Sequence, residues 1–235
     1  MLRGREGSAL AGLGAIAFGV FTWFGAGSAP GGNYSESDVA NFVSIGHFPT
    51  VIVTGYLAML GVLGLICLPA YLRDAINAEP GRTLAMSIFW GAGLAAAASI
   101  AVSWSLITGI ALSAAEGGSG ATVPHPVSYV LSDTSLNVLY GAGGSLLGFA
   151  LIALGRGARG QLPTWLRRVT LIVGVLAIGS PAYFPAFAVP IWAVVIGVWL
   201  VAAGRKSSAR VFRNPRPDSR PIRRESWPPQ PAHLR

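Results

Sequence analysis

Long uninterrupted apolar runs, rather than alternating positions, dominate this chain, and short stretches rich in Gly, Pro, Ser or charge separate them. Runs of that length are soluble only in lipid or in a wholly buried position, and they read as helices that cross a bilayer. The pattern predicts an all-α polytopic membrane bundle of six transmembrane helices over residues 9–27, 50–72, 83–113, 127–155, 166–180 and 186–204. At ~1.5 Å per residue the third run reaches ~45 Å, so it tilts or projects beyond the hydrocarbon. Between 169 and 204 no charge occurs, but Pro181, Pro185 and Pro190 rule out one straight helix. A hairpin of two short limbs is expected there, with a re-entrant hairpin as the alternative.

Small residues recur every fourth position in the first run (Ala11, Ala15, Gly19) and in the third (Ala95, Ser99, Ser103), as close helix packing in lipid requires. A cleaved signal peptide is the rival reading of the first run, from Arg3 and Arg5 to Ala26-Gly27-Ser28. With Phe21, Trp23 and Phe24, the run is longer and bulkier than the usual signal core, so a retained span is expected. Ahead of the second span, a short outer amphipathic helix is predicted. Ser35 caps it, Glu36 and Asp38 occupy its first turn, and Tyr34 and Val39 have staple spacing. Val39, Phe42, Val43 and Gly46 then share the face laid on the membrane.

Charge fixes the orientation. Threaded through six spans, the chain leaves all 17 Lys and Arg on one side. They fall at Arg3 and Arg5, at Arg73 and Arg82, at Arg156, Arg159, Arg167 and Arg168, and from Arg205 onward. Basic residues concentrate in cytoplasmic loops, so both termini are expected in the cytoplasm. From 205 to 235, nine basic residues face Asp218 and Glu225, leaving +7 of the formal +8 in the tail. That segment has six prolines and little apolar content, which predicts disorder. Its Arg205, Lys206, Arg210 and Arg213 are expected to meet anionic lipid headgroups, and nucleic acid is not an expected partner. The skew of sixteen Arg to one Lys, with abundant Ala and Gly, suggests a bacterial plasma membrane. The single Cys67 excludes an internal disulfide and a cysteine-based metal site.

Candidate chemistry gathers in the half away from the arginines. In the fourth span Asp133, Asn137, Tyr140, Gly141, Gly144 and Gly148 fall at spacings of three and four. Polar side chains at membrane depth turn toward protein or water, so this face is expected to pack inward. With Ser103 and Trp104 of the third span, Asp133, Asn137 and Tyr140 form a candidate ligand pocket. His47, His125 and Asp133 form a candidate metal set by ligand type, but no two share a helix turn. The more ordinary expectation is that the histidines cap helix entrances and that Asp133 is held at headgroup level by its helix N-terminus. No charge lies mid-span, and no hydrolytic triad, phosphate loop or paired catalytic carboxylates are present. No cofactor is implied.

The acidic-capped segment at Tyr34, Ser35, Glu36 and Asp38, the run YLAMLGVLGLICLPAYLRDA ending span two, and GQLPTWLRRVTLIVGVLAI leading into span five carry a resemblance over 34–204. The chain resembles uncharacterised multi-pass membrane proteins of actinobacteria. That resemblance implies the six-span fold and no activity. The expected role is a non-enzymatic accessory or scaffold that contacts lipid and other membrane proteins. A transporter or small-molecule binder with an outward-facing pocket is the alternative, followed by an outer-face metal-dependent enzyme.

Overall fold

The computed structural model describes residues 5–28, 35, 37, 38, 41, 48–76, 83–116, 125–182 and 187–213. Its elements are α1 (Arg5–Ser28), α2 (Phe48–Ile76), α3 (Thr83–Glu116) and α4 (His125–Asn137), followed without a break by a π-helical segment (Val138–Gly144) and α5 (Ser145–Gly157). Then come α6 (Thr164–Ile178), a 3₁₀ turn (Ser180–Ala182) and α7 (Ala188–Arg213). No strand occurs among the described residues. Among the described residues, four stretches are long and apolar enough to cross a membrane: Glu6–Phe24, Phe48–Ile76, Leu84–Ser113 and Pro126–Gly157. Ala188–Gly204 is a shorter apolar helix.

Neighbours in sequence pack side by side, and α1 also packs on α7, which closes the series. Glycine allows the closest approaches. Added Cβ atoms would lie 2.9 Å from the Gly64 Cα at Gly14, 2.7 Å from the Gly197 carbonyl at Gly12, and 2.5 Å from the Pro190 carbonyl at Gly19. Gly148 similarly meets the Gly174 carbonyl of α6 at 2.7 Å. Without a water-driven hydrophobic effect between helices in lipid, such backbone proximity supplies the dispersion contacts that hold them.

Polar groups add direct links. Ser8 Oγ donates to the Leu200 carbonyl at 2.7 Å, joining α1 to α7. Trp192 Nε1 of α7 donates to Thr170 Oγ1 of α6 at 2.9 Å, and Thr170 donates in turn to the Leu166 carbonyl at 2.8 Å. Arg73, in the last turn of α2, lies over the Trp90 ring of α3 with its guanidinium carbon 5.9 Å from the centroid. Gly157, at the end of α5, abuts Met86 near the start of α3. These contacts bring the arginine-bearing helix ends together at one end of the bundle. Between α5 and α6 the chain turns on Gly160, whose φ of 81° suits a residue without Cβ.

Of the predicted outer helix, Ser35, Ser37, Asp38 and Asn41 are described, whereas Tyr34, Glu36, Val39, Phe42, Val43 and Gly46 lie outside the described residues. Ser35 Oγ accepts from the Asp38 N–H at 3.3 Å, and Asp38 Oδ2 accepts from the Ser35 N–H at 2.8 Å. This is the reciprocal exchange of a capping box. The Ser35 backbone N–H, reinforced by its hydroxyl, holds the exposed Asp38 carboxyl below the usual aspartate range. A depressed folded-state value means that the turn gains its support above the ordinary aspartate pKa and loses it as pH falls through the lowered one. In an NMR titration, Asp38 should therefore show a midpoint below that of an unstructured aspartate. Ser35→Ala, which removes the smaller hydroxyl contribution, should move it part of the way back. An unshifted wild-type midpoint would refute the cap.

The helix of α7 continues through Arg213, beyond the predicted span end at 204. The side chains of Arg205, Lys206, Arg210 and Arg213, and all of 214–235, lie outside the described residues.

Candidate functional site

Local physics brings three features together around the fourth span. The first is a serine stripe. Ser128, Ser132 and Ser135 of α4 are 1%, 3% and 0% exposed, so this face of the helix, and not the Asp133 face, is its most buried polar surface. The positions i, i+4 and i+7 place them on one side. Ser135 Oγ donates to the Ser103 carbonyl of α3 at 2.8 Å, and the two hydroxyls lie 2.9 Å apart. With the Ser135 proton directed to the carbonyl, Ser103 Oγ donates to Ser135 Oγ. The pair is self-satisfied and leaves no hydroxyl proton for a ligand.

The second feature is the π segment. Its hydrogen bonds span one residue more than α-helical bonds, so the helical phase slips across Val138–Gly144. Before the slip, Asn137 is exposed, and its Nδ2 donates within its own helix to the Asp133 carbonyl at 3.0 Å and to Asp133 Oδ2 at 3.1 Å. After it, Gly144 meets Ser180 and Gly148 meets the backbone of α6. The expected single inward face therefore divides: its glycine half packs, while Asn137 faces outward beside a half-buried Asp133. A Cβ at Gly141 would meet nothing within 4 Å.

The third feature is a cavity of about 50 Å³ bordered by α1, α3, the π segment, the 3₁₀ turn and the start of α7. Phe18, Trp23, Ile100, Leu139, Tyr140 and Phe187 are among its walls, and they are almost wholly apolar. Trp23 and Phe187 meet edge to face, with ring centroids 5.8 Å apart. Such walls accept hydrocarbon and offer little to a charged solute.

Of the five pocket candidates, Tyr140 lines this cavity. Ser103 is paired with Ser135 in the α3–α4 seam, and Asp133 and Asn137 sit together on the opposite flank. Trp104 is 2% exposed, and its indole N–H has no hydrogen-bond partner among the described residues. For the metal set, His47 and the His125 side chain lie outside the described residues. No group of three His, Cys, Asp or Glu placed to hold a metal occurs among those described.

Reading the sequence missed the serine stripe and the cavity. The stripe was visible as spacing, but serine is common in lipid-embedded helices and carries less signal than Asp or Asn. The cavity had no local signal, because its walls come from segments far apart in the chain. No protein-family model, no curated protein and no solved structure matches this chain.

Proposed function

We propose that the protein is a six-span integral membrane protein with both termini cytoplasmic, in a bacterial plasma membrane, and that it acts without catalysis as a lipid-contacting accessory or scaffold. One observation carries this reading: the arginine-bearing ends of α1, α2, α5, α6 and α7 fall at the same end of the bundle, as one-sided insertion requires. α6 and α7 then form the fifth and sixth crossings, joined through Thr170 and Trp192. The self-paired Ser103 and Ser135, and the Asn137 amide turned back on its own helix, support a packing role for this region over an outward-facing polar pocket.

The segment from Arg205 onward supplies the lipid contact, at roughly 1 kcal/mol per basic residue near an anionic surface. In proteoliposomes, single cysteines introduced into a Cys67→Ala background should be labelled from outside at positions within 28–48 and 114–126, and at the C-terminus only after permeabilisation. The reverse pattern would invert the topology. A peptide of residues 205–235 should bind vesicles containing anionic lipid, lose binding as salt rises, and leave neutral vesicles unbound. Equal binding to neutral vesicles would refute the lipid contact.

A further inference from the structure

At the end of the bundle away from the arginines, a groove of about 290 Å³ lies over the close seam of α1 and α7. Its two walls have the same pattern, run antiparallel, and are built at i, i+1, i+4 and i+5. Gly19, Val20, Trp23 and Phe24 come from α1, and Pro190, Ile191, Val194 and Val195 from α7. The floor is formed where Gly19 touches the Pro190 carbonyl and the Val194 side chain, so the surface is concave where two ordinary helices would meet flush. Trp23 and Pro190 border both this groove and the inner cavity, and thus form the partition between them. An apolar cavity of roughly 150 Å³ suffices for benzene.

We infer that this groove is a binding site for one acyl chain of a membrane lipid, taken from the leaflet opposite the arginines. The inference rests on the membrane reading above. It commits to an acyl chain for three reasons. The walls are nearly devoid of polar surface, so a solute needing hydrogen bonds gains nothing there. The groove opens sideways between two helices at membrane depth, where hydrocarbon is the surrounding phase. Trp23 and Phe24 line the groove, and Phe187 stands edge to face against Trp23; aromatic rings settle at the headgroup boundary and set the depth of the chain. No Lys or Arg lies in the sequence between Arg5 and Arg73 or between Arg168 and Arg205, so headgroup charge does not select the lipid.

The test uses the full chain in vesicles containing phosphatidylcholine with a diazirine in its acyl chain, with adducts mapped by mass spectrometry after illumination. Adducts on Val20, Val194 and Val195 should exceed those on the exposed reference residues Leu63 and Ile172 about fivefold, and should saturate as labelled lipid increases. Val194→Trp fills the groove and should bring that yield down to the reference level. Val198→Trp, on the exposed face one turn along α7, should leave it unchanged. Trp23→Ala removes the partition and should extend labelling to Tyr140 and Leu139. Groove labelling that equals the reference residues and rises linearly with lipid, in wild type and Val194→Trp alike, would overturn the site. Failure of the membrane reading looks different: no adducts would form anywhere, Leu63 and Ile172 included.

Discussion

Gly64→Leu should destabilise the bundle by about 3 kcal/mol or more, near the upper end of what overpacking costs. A Cβ at Gly64 would press into the Gly14 carbonyl of α1, which is backbone and cannot rotate away as a side chain can. The reciprocal Cβ at Gly14 would lie 2.9 Å from the Gly64 Cα, so neither helix has slack on this side. Relief requires α1 and α2 to separate. Because α1 is held on its other flank by α7 through Gly12, Gly19 and Ser8, that motion also strains a second seam. Leucine is the better helix former, so propensity alone would predict a gain, and the sign of the result separates the two effects. The measurement is unfolding in mixed micelles, with Gly91→Leu and Gly109→Leu as matched controls. A Cβ at either control position meets nothing within 4 Å, so both variants should be at least as stable as wild type, with the propensity gain showing unopposed. If all three behave alike, the α1–α2 approach is not the close contact described.

Thr170→Val should cost about 1–3 kcal/mol although it scarcely changes side-chain volume. Thr170 is fully buried, and its hydroxyl is the acceptor for the Trp192 indole N–H, itself in a side chain 1% exposed. Valine leaves that N–H desolvated with no partner. The penalty comes from the stranded donor and not from the lost bond alone. It follows that Thr170→Val with Trp192→Phe should be less damaging than the two single changes added together, because phenylalanine has no donor to strand. A double-mutant cycle in the same unfolding assay measures the coupling. Membrane double-mutant cycles average below 1 kcal/mol because the membrane-embedded unfolded state also finds partners. A coupling of zero would mean that the α6–α7 link contributes nothing to stability.

Residue pattern alone was sufficient for several features. The four long apolar helices follow from runs no soluble core would need, and the Ser35–Asp38 cap follows from an oxygen acceptor placed three residues before a carboxylate. The break in the last apolar stretch follows from proline chemistry: the helix stops at Ile178 and resumes at Ala188, with Pro181 in the 3₁₀ turn. These depend on neighbours within a few residues, where sequence and geometry are nearly the same information.

Tertiary structure alone decided which side of the fourth span faces inward. A helical wheel assumes a constant turn per residue, and the π segment at Val138–Gly144 breaks that assumption between Asn137 and Gly144. The burial of Ser135 depends on α3 offering Ser103 at the right height, and the apolar cavity exists only because α1, α3 and α7 each contribute walls beside that slip. Such features arise from long-range packing, in which the partner that satisfies a side chain lies on another helix, 32 residues away for Ser103 and Ser135, and no local run of residues encodes it.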